Sequence, residues 1–125
     1  MNADELKRRT FDFAVRVIRL CRALPSAVEG RAVAGQLVRS ATSVGANYRA
    51  ACKARSRAEF IARMGVVEEE ADESAYWLEL IVASAQLRPG QVRELLREAV
   101  EFSKIFGTSR TTASRNRKDD RKGSQ

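Results

Sequence analysis

Residues 56–86 read SRAEFIARMGVVEEEADESAYWLELIVASAQ, thirty-one positions without a proline. Phe60, Met64, Val67, Ala71, Ser74, Leu78, Ile81 and Ala85 recur at three- and four-residue spacing, which places them on one face of a helix. Ser56 opens the run and Glu59 follows three residues later, the spacing of a capping box that satisfies free amides at a helix start. Trp77 and Tyr76 lie beside the stripe. A helix this long cannot bury its apolar face alone, so the rest of the chain must supply partners.

Reading outward, three further helices are expected. Upstream, 31–53 carries Val33, Leu37, Ala41, Val44, Tyr48 and Cys52 on one face, with Gly45 and many small residues that permit close helix approach. Before it, 4–23 carries Leu6, Phe13, Val17 and Cys21, continued by Leu24; Phe11, Ala14, Ile18 and Leu20 widen the stripe. Pro25 ends that helix, because proline disfavours helical geometry in the residue before it. Downstream, Arg88-Pro89-Gly90 reads as a turn. The run 91–106 then holds Val92, Leu95, Ala99, Phe102 and Phe106, and Gly107 reads as a C-terminal stop. No segment alternates with period two. The fold class is therefore all-α, an up-down-up-down antiparallel four-helix bundle over residues 1–107. Residues 108–125 lack apolar periodicity and read as a disordered basic tail, either a flexible arm for nucleic acid or a solubilising extension.

The 125 residues suit one domain, and with 44% hydrophobic and 31% charged residues the chain can bury a core. The formal net charge of +7 draws a chain of this size toward polyanions, unless the charge serves only solubility. Its distribution is uneven. Residues 1–57 hold twelve Lys and Arg against four Asp and Glu, 58–107 hold five against ten, and 108–125 hold six against two. A body with one basic and one acidic side can meet copies of itself head to tail, which builds rings or filaments. The charged N-terminus shows no secretory h-region, and no apolar run reaches the ~18–20 residues of a membrane span, so a cytoplasmic location is expected.

Chemistry is poorly provided for. The chain has no histidine, which removes Ser-His and Cys-His nucleophile pairs and the usual nitrogen ligand of a bundle di-metal site. Cys21 and Cys52 lack metal-ligand spacing and read as small buried apolar residues. No Gly-rich phosphate loop is present. Neither catalytic residues, nor a metal, nor a cofactor is expected. The acidic cluster Glu68-Glu69-Glu70, Asp72-Glu73 reads as a source of ion pairs to neighbouring helices or subunits.

The basic sets are the candidate site. Arg8, Arg9, Arg16 and Arg19, together with Lys7, lie on the first helix. Arg49, Lys53, Arg55 and Arg57 cluster where the second helix meets the third. Arginine forks match phosphate oxygens, so the reading is sequence-independent contact with RNA or DNA backbone. Tyr48 is the one aromatic interleaved with the second set, which makes base stacking subordinate to phosphate contact. The alternatives are a solvated surface, an oligomer salt-bridge network, or an adaptor face for an acidic protein.

The stretch Gln36-Leu37-Val38-Arg39-Ser40-Ala41-Thr42-Ser43-Val44-Gly45-Ala46-Asn47 resembles the family of small four-helix-bundle proteins encoded in intervening sequences of bacterial large-subunit (23S) ribosomal RNA genes. The match runs through Gln36, Arg39, Ser40, Ala41, Ser43, Val44, Ala46 and Asn47. Ala58-Glu59-Phe60-Ile61, the acidic cluster, Tyr76-Trp77-Leu78 and Phe11-Asp12-Phe13-Ala14-Val15 extend it over about 10–106. Many members carry an acidic or small residue where Tyr48-Arg49 stands here. The resemblance implies a ring-forming homo-oligomer, a pentamer. It also implies kinship with the accessory protein of diversity-generating retroelements, and so nucleic acid and a reverse transcriptase as partners. It carries no catalytic residues. Asn47 suits mid-helix poorly; a hydrogen bond across the core near Glu69 or Glu73 would account for it, and Arg39 is expected to make a similar link to an acid of the third helix.

Overall fold

The structure is a computed structural model that describes residues 1–123, with side chains through Lys118. Four helices follow one another: α1 (Ala3–Cys21), α2 (Val28–Cys52), α3 (Arg57–Ala83) and α4 (Pro89–Gly123). Each packs on its neighbours in chain order and α4 closes back on α1, while the backbones of the diagonal pairs α1–α3 and α2–α4 stay apart and α2 reaches α4 through the Tyr48 and Phe106 rings. Cross-helix contacts run antiparallel: Arg9 and Arg16 of α1 face Glu98 and Glu94 of α4, and Gly65 and Glu68 of α3 face Arg110 and Gly107 of α4. This is the expected up-down-up-down bundle.

Local signals set the ends. Asn2 caps α1 by accepting from the Glu5 amide at 2.9 Å. Ser56 caps α3 by accepting from the Glu59 amide at 3.1 Å; the Glu59 carboxylate reaches back to the Arg55 amide at 3.0 Å, one residue before the cap. Pro89 occupies the first position of α4, where a missing N–H costs nothing, and Gln91 accepts from the Arg88 amide at 3.0 Å. α3 ends three residues before the expected Gln86. The Gln86 amide bonds Ile81 O and the Ala85 amide bonds Val82 O, a Schellman closure with Ala85 at φ 59°. An alanine held left-handed costs about 1–2 kcal/mol. Ala85→Gly is therefore expected to stabilise the protein by about 0.5–1 kcal/mol after the glycine's extra unfolded-state entropy. A thermal melt checks this, and an unchanged or lower midpoint would contradict it.

The core is a column of stripe residues: Phe13 and Val17 from α1, Leu37, Ala41 and Val44 from α2, Met64, Val67, Ala71 and Leu78 from α3, and Val92, Ala99, Phe102 and Phe106 from α4. Phe102 sits edge-on to Phe13 with centroids 5.5 Å apart and stacks on Phe106 at 5.8 Å. Two of the three buried hydroxyls join α2 to α3: Ser74 of α3 donates to Ser40 of α2 at 3.0 Å, and Ser40 donates to the Leu37 carbonyl of its own helix.

Two expectations change at the ends of the stripes. Cys52, expected buried, is exposed; Ala51 takes the core position, and Cys21 is half-buried with its thiol pKa raised by burial. α4 does not stop at Gly107 but continues to Gly123, through most of the segment expected to be a disordered tail; residues 124–125 lie outside the described residues. Gly107 serves packing instead. A Cβ there would meet Glu68 Oε1 at 2.8 Å, so the glycine lets the Glu68 carboxylate lie across α4 and accept from Arg110 Nε at 2.8 Å. Arg110, Ala113, Ser114 and Arg117 are half-buried and carry the inner face of α4 onward.

Candidate nucleic-acid interface

Where Gly45 of α2 faces Thr10 of α1, a Cβ on the glycine would lie 3.4 Å from the threonine Cβ. Thr10 is fully buried, and its hydroxyl donates back to the Leu6 carbonyl at 2.8 Å. The close crossing brings two surface ladders side by side: Lys7, Phe11, Ala14 and Ile18 on α1, and Thr42, Ala46 and Arg49 on α2 with Lys53 at its C-cap, each at i, i+4, i+7, i+11. Between them runs a groove of about 670 Å³. The Thr10–Gly45 register places Lys7 and Arg8 beside Arg49 and Lys53 at the end where α1 begins and α2 finishes. Phe11, Val15 and Ile18 form the floor toward the other end. No carboxylate lines the groove.

The structure divides the eight sequence-chosen cations. Arg8, Arg49 and Lys53 gather at the groove, joined by Lys7. Arg9 and Arg16 point the other way, into the α1–α4 seam. Arg9 donates to Glu98 through Nη2 at 2.5 Å, lies 3.4 Å from Glu101 and stands over the Phe102 ring at 5.1 Å. The hydrogen bond to Glu98 raises its pKa; burial opposes the shift, and the charges of Glu98 and Glu101 add to it. Arg16 pairs with Glu94 at 2.9 Å, and Arg19 is exposed on the same side. Arg9 and Arg16 thus have glutamate partners on α4, the Arg16 pair lying in solvent. Arg55 and Arg57 are exposed at the α2–α3 junction and do not line the groove.

The residues expected as internal polar links also sort out. Arg39 pairs with Glu70 at 3.1 Å and with Glu73, so the link from α2 to an acid of α3 is present. Burial works to lower the Arg39 pKa, and the charges of Glu70 and Glu73 outweigh it, leaving the value raised. Asn47 does not cross the core. Its amide donates to the Ser43 carbonyl of its own helix at 2.8 Å, and Glu69 is exposed. The buried polar bridge between α2 and α3 is the Ser40–Ser74 pair, one position along from Arg39; its only trace in sequence is a serine inside each apolar stripe.

Tyr48, the one aromatic interleaved with the second basic set, is 6% exposed and packs on Phe106 at 5.1 Å. Burial, then neighbouring Cys52 and Asp4, push its phenol pKa upward. Phe11 takes its place at the surface, 63% exposed, with Ile18 at 39%. Both were expected to widen the core stripe of α1. The buried positions of α1 are Leu6, Thr10, Phe13 and Val17, a narrow arc, and Phe11 falls outside it.

Among the described residues no three acidic or cysteine side chains converge on a metal-sized site, and no helix is long and apolar enough to cross a membrane. Fold and groove define a small helical-bundle protein with a cation-ended, apolar-floored surface channel. The chain belongs to the 23S rRNA-intervening sequence protein family, whose model matches residues 4–108. A 1.70 Å crystal structure of a protein with unknown function from the S23 ribosomal protein family of Bacteroides thetaiotaomicron is similar to it. That protein is 34% identical with a TM-score of 0.74, the match covering 80% of this chain and 93% of the other. Comparison with curated proteins finds no match.

Proposed function

We propose that this protein is a non-enzymatic, cytoplasmic nucleic-acid-binding protein that holds RNA or DNA backbone at the basic end of the α1–α2 groove. One observation carries the reading. The seam cations Arg9, Arg16, Arg39 and Arg110 have glutamate partners, whereas Lys7, Arg8, Arg49 and Lys53 have none among the described residues and sit together. Four cations left close together repel one another and are stabilised by phosphate. Phe11 offers a face for one unstacked base beside them.

The exposed apolar floor favours a second reading for the other end of the groove: contact with protein, either another copy in a head-to-tail ring or an acidic partner such as a reverse transcriptase. The two readings separate in one experiment. Arg8→Gln/Arg49→Gln/Lys53→Gln is expected to weaken binding of a labelled single strand by on the order of 100-fold, taking about 1 kcal/mol per lost phosphate contact. Arg9→Gln is expected to lower the melting temperature and leave affinity within about 3-fold. Equal loss of affinity in both variants would remove the groove as the site. Light scattering on Phe11→Ser reads the second: a fall in mass without loss of affinity assigns the floor to subunit contact.

A further inference from the structure

By sequence count, 58–107 is acidic, yet α4 separates its charges around the helix. Its acids lie toward α1: Glu94 meets Arg16, and Glu98 and Glu101 meet Arg9. Opposite the buried face of Val92, Ala99, Phe102 and Phe106 stand Arg93, Arg97, Lys104, Arg115 and Lys118, all exposed. Their spacing of 4, 7, 11 and 3 residues keeps them within one narrow arc of a 3.6-residue helix. None has a partner among the described residues; Glu101, the nearest acid on this face, turns to Arg9.

We infer that the outer face of α4 is a second phosphate-binding surface, a rail that lies along the backbone of a nucleic-acid duplex. The inference rests on the nucleic-acid reading above and adds to it a separate surface and a different form of ligand. Three observations select the duplex. From Arg93 to Lys118 the rail extends about 37 Å at ~1.5 Å per residue, close to the ~34–36 Å of one duplex turn. It carries no aromatic residue, and Val100 is its single exposed large apolar side chain, so it has nothing to receive an unstacked base. Its cations stand near one another, Arg93 and Arg97 at i, i+4 and Arg115 and Lys118 at i, i+3, and repel; Glu101, the acid that borders them, is drawn to Arg9, so phosphate would relieve the repulsion. The continuation of α4 past Gly107 gives the rail its length, since Arg115 and Lys118 stand on the part of the helix beyond it.

The test uses the full chain, a 30-base-pair duplex of arbitrary sequence and a 30-nucleotide single strand, each across a salt series. The variants are Arg93→Gln/Arg97→Gln/Lys104→Gln, at exposed positions where glutamine keeps helix propensity, and the groove triple variant. The rail variant is expected to lose at least about 10-fold in duplex affinity, to lower the duplex salt slope by about 3, and to hold the single strand as the wild type does. Wild-type duplex affinity and slope in the rail variant, with binding lost in the groove variant, would overturn the rail and leave the groove standing. A change in oligomer mass with duplex affinity intact would overturn it in favour of a protein contact. If the wild type binds neither probe at ~50 mM salt, both readings fall together.

Discussion

Phe102→Ala is expected to destabilise the protein by about 3–5 kcal/mol, the range for emptying a buried aromatic site. Phe102 is fully buried and is touched from three directions. Phe13 of α1 meets it edge-on, Phe106 stacks one turn on, and the Arg9 guanidinium stands over its ring at 5.1 Å. The substitution leaves a cavity and removes two aromatic pairs worth about 0.5–1.5 kcal/mol each beyond their burial. It also takes away the ring against which Arg9 is held for Glu98 and Glu101. The α1–α4 seam is the thinnest of the four, so the loss falls where few other contacts can absorb it. A domain of this size has only about 5–15 kcal/mol to lose. Urea denaturation reads the effect, with Tyr76→Ala, at a 55% exposed position, expected within about 0.5 kcal/mol of wild type. A Phe102→Ala midpoint equal to that of Tyr76→Ala would contradict this account of the core.

The second large effect is a contrast within one helix. Gly30→Ala is expected to cost about 2–3 kcal/mol, and Gly35→Ala to stabilise by about 1 kcal/mol, the intrinsic helix gain of alanine over glycine. A Cβ at Gly30 would overlap the Pro25 carbonyl oxygen and lie 3.0 Å from its carbon, whereas nothing comes within 4 Å of one at Gly35. Both glycines lie in α2. The atoms facing Gly30 are backbone of the turn after α1, and the Arg31 guanidinium ties that turn further by donating to the Ser26 carbonyl. The turn cannot yield without shifting Leu24, which is buried. Thermal melts of the two variants should move in opposite directions; a shared direction would mean that the turn does not press on Gly30.

The helices were legible because their apolar positions repeat, and burial follows that repeat at Leu37, Val44, Met64, Leu78 and Phe102. What periodicity does not encode is the width of the buried arc. Phe11 and Ile18 extend the α1 stripe in sequence and face outward in space because burial on α1 is confined to Leu6, Thr10, Phe13 and Val17, and its seam with α4 is thin. The end of α4 was misread for a related reason. Beyond Phe106 the inner face passes to Arg110, Ala113 and Arg117, and arginine stems can cover a neighbouring helix without registering as apolar. Gly107, which reads as a stop, lies inside α4 with the Glu68 carboxylate against it.

Charge was legible as totals and not as directions. The count along the chain gave a basic first half and an acidic second, but Arg9 and Arg16 belong to the seam and Arg93, Arg97 and Lys104 to the outer surface. Lys7 and Arg8 follow one another in sequence with Arg9, yet only the first two reach the groove. Which cation meets a glutamate depends on helix rotation against a partner, and the total charge of a segment contains no term for that. Asn47 and Ser40 make the same point for neutral groups: the poor helix former stays on its own helix, and the serine that fits a helix without comment makes the cross-core bond.

The central claim is that cations without internal partners exist here to meet phosphate. The most direct measurement is the affinity of the wild-type protein for two unrelated RNA sequences and two unrelated DNA sequences between about 50 and 200 mM salt. The account predicts that log K falls linearly with log salt for all four, with a slope of at least about −3 for the four groove cations and little dependence on sequence. Binding that is absent at the lowest salt, or that is present and indifferent to salt, would contradict it.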